Sequence, residues 1–191
     1  MTPVQTPDPN IVVFDDVLAD PQALRRFALA AHYDTYTLGL ATFHGIALAP
    51  STVPDLLESL GAGLLPRISF FRRSPKGQTE PTFIHTDSSM GHWTALLYLT
   101  PAPPDEDGTL FWRDRETGAI ADHSVSPEAY VASRSKWFQT EAWDEWYRVQ
   151  ARFNRLLIFS APYFHSRAMP ENYGDGECAR LVHVSFGEYA A

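Results

Sequence analysis

The stretch FIHTDSSMGHWTALLYLT, residues 83–100, sets two histidines and an aspartate directly ahead of an apolar run. That run, WTALLYLT (93–100), lies between Gly91 and Pro101 and carries the residue types of a β-strand. In extended chain, side chains two apart point to the same side. His85 and Asp87 therefore offer an imidazole and a carboxylate to one point. An H-x-D pair alone is weak evidence, because aspartate is also a common cap and turn former. Its weight comes from two later residues placed in order along the chain. His165 comes after the apolar run RLLIFSA (155–161), and Arg180 opens RLVHVSF (180–186).

Two histidines and one carboxylate on one face of an octahedral ion leave three positions open, the arrangement of non-heme Fe(II) oxygenases. Structural zinc instead fills four positions, usually with thiolates, and this chain has one cysteine, Cys178. His165 is the expected third ligand beside His85 and Asp87. In the last run Arg180, Val182, Val184 and Phe186 share one face, and Leu181, His183 and Ser185 the other. Arg180 is thereby expected inside, among apolar neighbours, where a guanidinium needs an anion and can grip a carboxylate in two-point fashion. The opposite parity is expected to turn His183 outward. His92 is expected at the rim of a pocket, and His32, His44 and His123 have no nameable partner.

Working outward, the 191 residues suit one domain, and 45% hydrophobic with 20% charged residues describes an ordinary globular protein. A net charge of −8 argues against a nucleic-acid partner. MTPVQTPDPN has neither the basic nor the apolar region of a signal peptide, and no apolar run is long enough to span a bilayer. The single cysteine excludes an intrachain disulfide. A cytoplasmic protein without membrane or nucleic-acid partners is expected.

IVVFDDVL (11–18) reads as a strand. DPQALRRFALAAH (20–32) reads as a helix, with Asp20 as N-cap, Pro21 in the first turn and Leu24, Phe27, Ala28 and Ala31 on one face. TVPDLLESLGAG (52–63) reads as a second helix, while 33–50 is unassigned. RISFFRRS (67–74), WTALLYLT, GTLFWRD (108–114), VQARFN (149–154), RLLIFSA and ARLVHVSF (179–186) read as strands. SPEAYVASRSKWF (126–138) reads as a helix, and TEAWDEWY (140–147) has Trp143, Trp146 and Tyr147 at helical spacing. The expected fold is mainly β with flanking helices, a double-stranded β-helix of the jelly-roll, cupin-like kind. Residues 1–64 would supply an N-terminal strand and helical support, and 65–191 a jelly-roll core carrying the metal site.

The ordered pattern resembles the Fe(II)/2-oxoglutarate-dependent oxygenase superfamily, particularly its prolyl-4-hydroxylase-like branch. The likeness runs from roughly Arg67 to Tyr189 through FIHTD, WTALLYLT, DGTLFWRD, NRLLIFSAPYFHS and ARLVHVSF. Tyr98-Leu99-Thr100 and Asp107-Gly108-Thr109-Leu110-Phe111 are similar to reduced forms of the family's YLN strand and GGxxxF turn. The resemblance implies that His85, Asp87 and His165 hold Fe(II) and that Arg180 holds the C5 carboxylate of 2-oxoglutarate. It implies an oxygenase that uses O₂ to hydroxylate a small molecule or an amino-acid or peptide side chain. The interval from His165 to Arg180 is longer than usual for the family, and Arg167 is a second candidate for the carboxylate. Two other readings stay open at this point. A non-catalytic jelly-roll binding or sensor protein would take no 2-oxoglutarate at a metal, and a cupin-like dioxygenase would take Fe(II) and ignore 2-oxoglutarate. Segments 33–50, 101–107 and 123–140 are expected to shape the pocket. Their Tyr33, Tyr36, Phe43, Trp137 and Phe138 would suit an apolar or planar group.

Overall fold

A computed structural model describes residues 3–38, 41–50, 63–78, 83–123, 136 and 138–190. The elements in chain order are β1 (Ile11–Phe14), α1 (Pro21–Ala30), β2 (Asp34–Leu38), β3 (Ala41–Leu48), β4 (Leu64–Ser74), β5 (Trp93–Tyr98), β6 (Gly108–Asp114), β7 (Trp143–Gln150), β8 (Leu156–Ser160), β9 (His165–Arg167) and β10 (Arg180–Tyr189). Among the described residues seven strands form one sheet in the order β1-β8-β5-β10-β4-β3-β2, and three form a second in the order β7-β6-β9. All pairings are antiparallel. This is the double-stranded β-helix expected from the sequence.

The strands β8, β5 and β10 of the large sheet are buried on both faces. On its inner face Val182, Val184 and Phe186 meet Phe111, Val149 and Tyr163 in the core between the sheets. On its outer face Phe71, Leu97, Leu156 and Leu181 pack under Ala28 and Leu24 of α1. Burial on both sides explains why β5, β8 and β10 read as continuous apolar runs rather than alternating ones. The helix begins as its sequence dictates: the Asp20 carboxylate accepts from the Ala23 amide at 2.9 Å, and Pro21 occupies the first turn.

The register of β10 against β4 shifts between Phe186 and Gly187, a bulge at the end of the pairing. A Cβ on Gly187 would sit 2.2 Å from the Leu65 carbonyl oxygen and 2.2 Å from the Trp93 ring. Trp93 is fully buried and its indole N–H donates to the Glu188 carbonyl at 2.9 Å, so neither obstacle can swing away. Gly187→Ala is expected to cost about 1–3 kcal/mol through overpacking, read as a lower urea midpoint at unchanged slope.

Elsewhere the chain fills in or departs from the expected elements. The unassigned 33–50 contains the β2–β3 hairpin. The VQARFN run ends as strand at Gln150, and Asn154 has φ 64° in a turn, its side chain bridging the Leu18 amide and carbonyl. The expected helix 52–63 and most of 126–138 lie outside the described residues. The helical reading of 140–147 is overturned: a short 3-10 turn at Thr140–Ala142 leads straight into β7. The cause is a bulge. Phe111 faces Tyr147 and Trp112 faces Glu145, so Trp146 is the extra residue. It breaks the two-residue alternation and sends Trp143 to a cluster with Ile84 and Phe164, while Tyr147 joins the core between the sheets.

His183 has the expected parity but not the expected environment. Its face of β10 is covered by α1 rather than by water, so the ring is fully buried, 4.8 Å from the Phe71 ring centroid. Neither ring nitrogen has a hydrogen-bond partner among the described residues. Burial pushes its pKa down to about 4. In the unfolded chain the ring titrates at its ordinary value near 6.5, so between these two values the unfolded state binds the extra proton. The contribution is fully present above about pH 6.5 and is lost as pH falls toward 4, at about 1.4 kcal/mol per pH unit. His183→Leu is expected to flatten that slope in denaturant melts between pH 7 and 5. An unchanged slope would mean the ring is solvated or paired.

Candidate metal centre

The segment carrying His85 and Asp87 is extended but is not a regular strand. It is clamped at two points: His85 and His165 exchange backbone hydrogen bonds of 2.9 Å, and the Asp87 amide donates to the Ala161 carbonyl at 2.8 Å. This pairing brings the first two candidates against the third, which opens β9.

The side chains converge. The His165 Nε2 lies 3.2 Å from Asp87 Oδ2 and the His85 Nε2 lies 3.7 Å from Asp87 Oδ1. One donor atom from each of the three residues falls within 4.8 Å of the others. Each imidazole Nδ1 faces a carbonyl, that of Phe83 for His85 and that of Tyr163 for His165, both at 2.9 Å. A carbonyl only accepts, so Nδ1 carries one proton, and Nε2 is the atom turned to Asp87, where a second proton or a metal ion can be shared with the carboxylate. Orientation of a ligating histidine through its other nitrogen is the usual support of a metal site. Thr94, on β5, donates to Asp87 Oδ2 at 2.8 Å and fixes the carboxylate plane. The donor set therefore fits a divalent ion.

The electrostatics agree. Burial opposes charge on Asp87, but the neighbouring His165 and His85, with the hydrogen bonds from His165 and Thr94, outweigh it and hold the carboxyl below its ordinary range. Burial likewise opposes charge on His165, and Asp87 overrides it and raises the imidazole. Proton or metal, a cation is favoured between them.

Arg180 opens β10 on the same side, buried as expected. Its Nε donates to Asp107 Oδ1 at 3.0 Å. Asp107, 1% exposed, also accepts from the Gly108 amide at 2.8 Å and from the Tyr173 hydroxyl at 2.7 Å. Burial and the Asp107 charge raise the Tyr173 phenol well above its ordinary range, so it stays a donor. Arg167 also faces the cavity, with its guanidinium bonded to the Asn172 side chain and the Pro170 carbonyl. A cavity of about 550 Å³ joins these parts: His85, Asp87 and His165 line it, as do Arg180, Thr109 and Ser166.

His92 lies outside this cluster, exposed and paired with Glu188 at 2.5 Å. His32 pairs with Asp34 and His44 with Thr35. Sequence reading missed Thr94, Asp107 and Tyr173. Asp107 was visible only as the start of an Asp-Gly turn, and nothing in PENYGDG singled out Tyr173. Of the aromatic candidates for the pocket, Tyr36 and Phe43 line the cavity. Tyr33 instead donates to the Ala28 carbonyl, Phe138 is 63% exposed, and Trp137 lies outside the described residues.

Residues 76–180 match the model of a family described as Family of unknown function (DUF6445). No curated protein matches the sequence. Among solved structures the chain is similar to the non-heme alpha ketoglutarate dependent carbocyclase SnoK from nogalamycin biosynthesis, at 16% identity over 92% of this chain and 78% of that one, TM-score 0.56. It is also similar to HygX from Streptomyces hygroscopicus with nickel and 2-oxoglutarate bound, at 13% identity over 92% and 81%, TM-score 0.53. A third is the epimerase SnoN in complex with Fe3+, alpha ketoglutarate and nogalamycin RO, at 15% identity over 92% and 77%, TM-score 0.53. At these identities the likeness establishes the fold. No helix among the described residues is long and apolar enough to cross a membrane.

Proposed function

The chain belongs to the DUF6445 family, and we propose that it is a cytoplasmic Fe(II)- and 2-oxoglutarate-dependent oxygenase that hydroxylates a small molecule. The observation that carries this reading is the convergence of His85, Asp87 and His165 in a cavity that Arg180 also lines. The fold shared with enzymes crystallised with iron, nickel and 2-oxoglutarate supports it. The finer likeness to the prolyl-4-hydroxylase-like branch rests on the sequence pattern.

His85 Nε2, His165 Nε2 and an Asp87 oxygen would hold Fe(II), which, with 2-oxoglutarate and O₂, supplies the oxidation of a C–H bond. The sum is R–H, O₂ and 2-oxoglutarate giving R–OH, succinate and CO₂. The residues of this chain bind and orient. Thr94 donates to Asp87 Oδ2 and so would hold the carboxylate in place for the metal. Arg180 holds the distal carboxylate of 2-oxoglutarate, and Asp107 fixes the guanidinium by taking Nε, which leaves the terminal nitrogens for the ligand. Thr109 lines the same space, and with Tyr98 donating to it at 2.7 Å its own hydroxyl proton is free for that carboxylate. Apolar neighbours such as Leu96 and Val184 exclude water, which strengthens each of these contacts.

The test is an anaerobic titration of metal-free protein with Fe(II) and then 2-oxoglutarate, followed in the visible spectrum. A charge-transfer band is expected in the wild type, absent in His165→Ala and shifted to higher 2-oxoglutarate in Arg180→Ala. Fe(II) binding without the band would point to a dioxygenase that ignores 2-oxoglutarate. No Fe(II) binding would leave a binding or sensor protein.

A further inference from the structure

The cavity has a second half that the cofactor chemistry does not use. It is walled by Tyr36 and Phe43 of the β2–β3 hairpin, by Leu48, and by Ile68 and Phe70 of β4, with Phe186 of β10 toward the centre. Three of these are large apolar residues left open to solvent: Tyr36 at 39%, Leu48 at 61% and Ile68 at 37%. Apolar surface gathered in a concavity, rather than scattered singly, marks a binding site. Arg72 lines the same wall, with its guanidinium carbon 5.9 Å from the Phe43 ring centroid in a cation–π contact.

We propose that this half binds the planar, apolar, ring-bearing body of the oxygenase's substrate, an aromatic or polycyclic small molecule. The inference rests on the oxygenase reading for the word substrate, and on the wall itself for the chemical class. Rings and branched aliphatic chains stack and enclose flat hydrocarbon surface. The same wall is a poor host for a peptide. A buried peptide must find a partner for every backbone N–H and C=O, and this wall offers few: the hydroxyls of Tyr36, Thr37 and Ser74 and the Arg72 guanidinium. A free amino acid would bring its ammonium to a wall of rings and methyl groups whose charged member, Arg72, is itself a cation. The volume of about 550 Å³ sits within the usual range for small-molecule sites. The hairpin wall belongs to the same large sheet as β10, so the ring body would lie in line with the metal candidates rather than on a separate surface.

The probe is 2-naphthol, a neutral two-ring molecule, titrated calorimetrically into the full chain with and without anaerobic Fe(II) and 2-oxoglutarate. N-acetyl-L-prolinamide and free leucine serve as comparators. Saturable 2-naphthol binding at one site is expected, at least tenfold tighter than either comparator. Phe43→Ala and Ile68→Asp are each expected to weaken it at least tenfold, and Phe43→Leu by less. Melting temperature and far-ultraviolet circular dichroism report whether each variant folds. Absence of saturable binding overturns the proposal. So does binding indifferent to both substitutions, or binding of N-acetyl-L-prolinamide as tight as that of 2-naphthol. The two readings separate cleanly. A charge-transfer band without 2-naphthol binding sinks the substrate class alone, and 2-naphthol binding without the band sinks the oxygenase alone.

Discussion

Asp87→Ala is expected to remove Fe(II) binding in the micromolar range and with it all 2-oxoglutarate turnover. Loss of a partner that merely supports a ligand costs roughly 10–100-fold in metal affinity, and loss of the carboxylate itself is expected to exceed that. Asp87 is the only anion in the cluster among the described residues, it is 8% exposed, and both imidazole Nε2 atoms face it. Without it the site is two neutral imidazoles in a largely apolar pocket, unable to compensate a divalent charge. Metal and proton compete for the same place, since Asp87 holds His165 above its ordinary pKa. Fe(II) affinity is therefore expected to fall as pH is lowered in the wild type. An anaerobic titration of both proteins decides the matter: Asp87→Ala binding Fe(II) as tightly as the wild type would exclude the triad.

Asp107→Ala is expected to destabilise the fold by about 3–5 kcal/mol, the cost of leaving a buried charge without its partner. Asp107 is 1% exposed and Arg180 is 9% exposed, so the guanidinium would lose its carboxylate partner in a buried setting. The Tyr173 hydroxyl and the Gly108 amide lose their acceptor in the same step. The double variant Asp107→Leu with Arg180→Met is expected to recover most of the loss, because it removes both charges from the interior. Urea unfolding of Asp107→Leu alone, Arg180→Met alone and the double variant gives the coupling energy directly. Additive losses would mean that Asp107 supports the turn and not the arginine. Asp107→Asn, which keeps the size, is expected to fold and to bind 2-oxoglutarate more weakly, with the guanidinium no longer held.

The core of the site is legible in the sequence because its residue types have few other uses in that order. Histidine and aspartate two apart ahead of an apolar run, a histidine after another run and an arginine opening a third do converge, although His85 and Asp87 sit on a bridged extended segment rather than a strand. Their supports are not legible. Thr94 looks like any strand threonine, and Asp107 and Tyr173 meet Arg180 only through contacts distant in the chain. The long interval between His165 and Arg180 contains Tyr173, so the extra length carries a residue that braces the arginine. Two departures share one origin: periodicity says which residues share a side, not what covers it. Parity turns His183 away from Arg180, but only the fold puts α1 over that face. The bulge at Trp146 gives a strand the spacing of a helix turn.

The place of β10 in the large sheet also governs how the protein is made. β10 lies between β5 and β4, and β1 pairs with β8, so Ile11 waits for Phe159 and β4 waits for Arg180–Tyr189. On the ribosome most of the chain emerges with sheet edges unpaired, and the sheet closes only when its last strand is released. Such non-local pairing belongs to the slow class of folding, milliseconds to seconds, and exposes strand edges to aggregation meanwhile. A chain shortened before Arg180 would lack the strand that joins the two halves of the sheet, and is expected to aggregate rather than survive as a smaller domain.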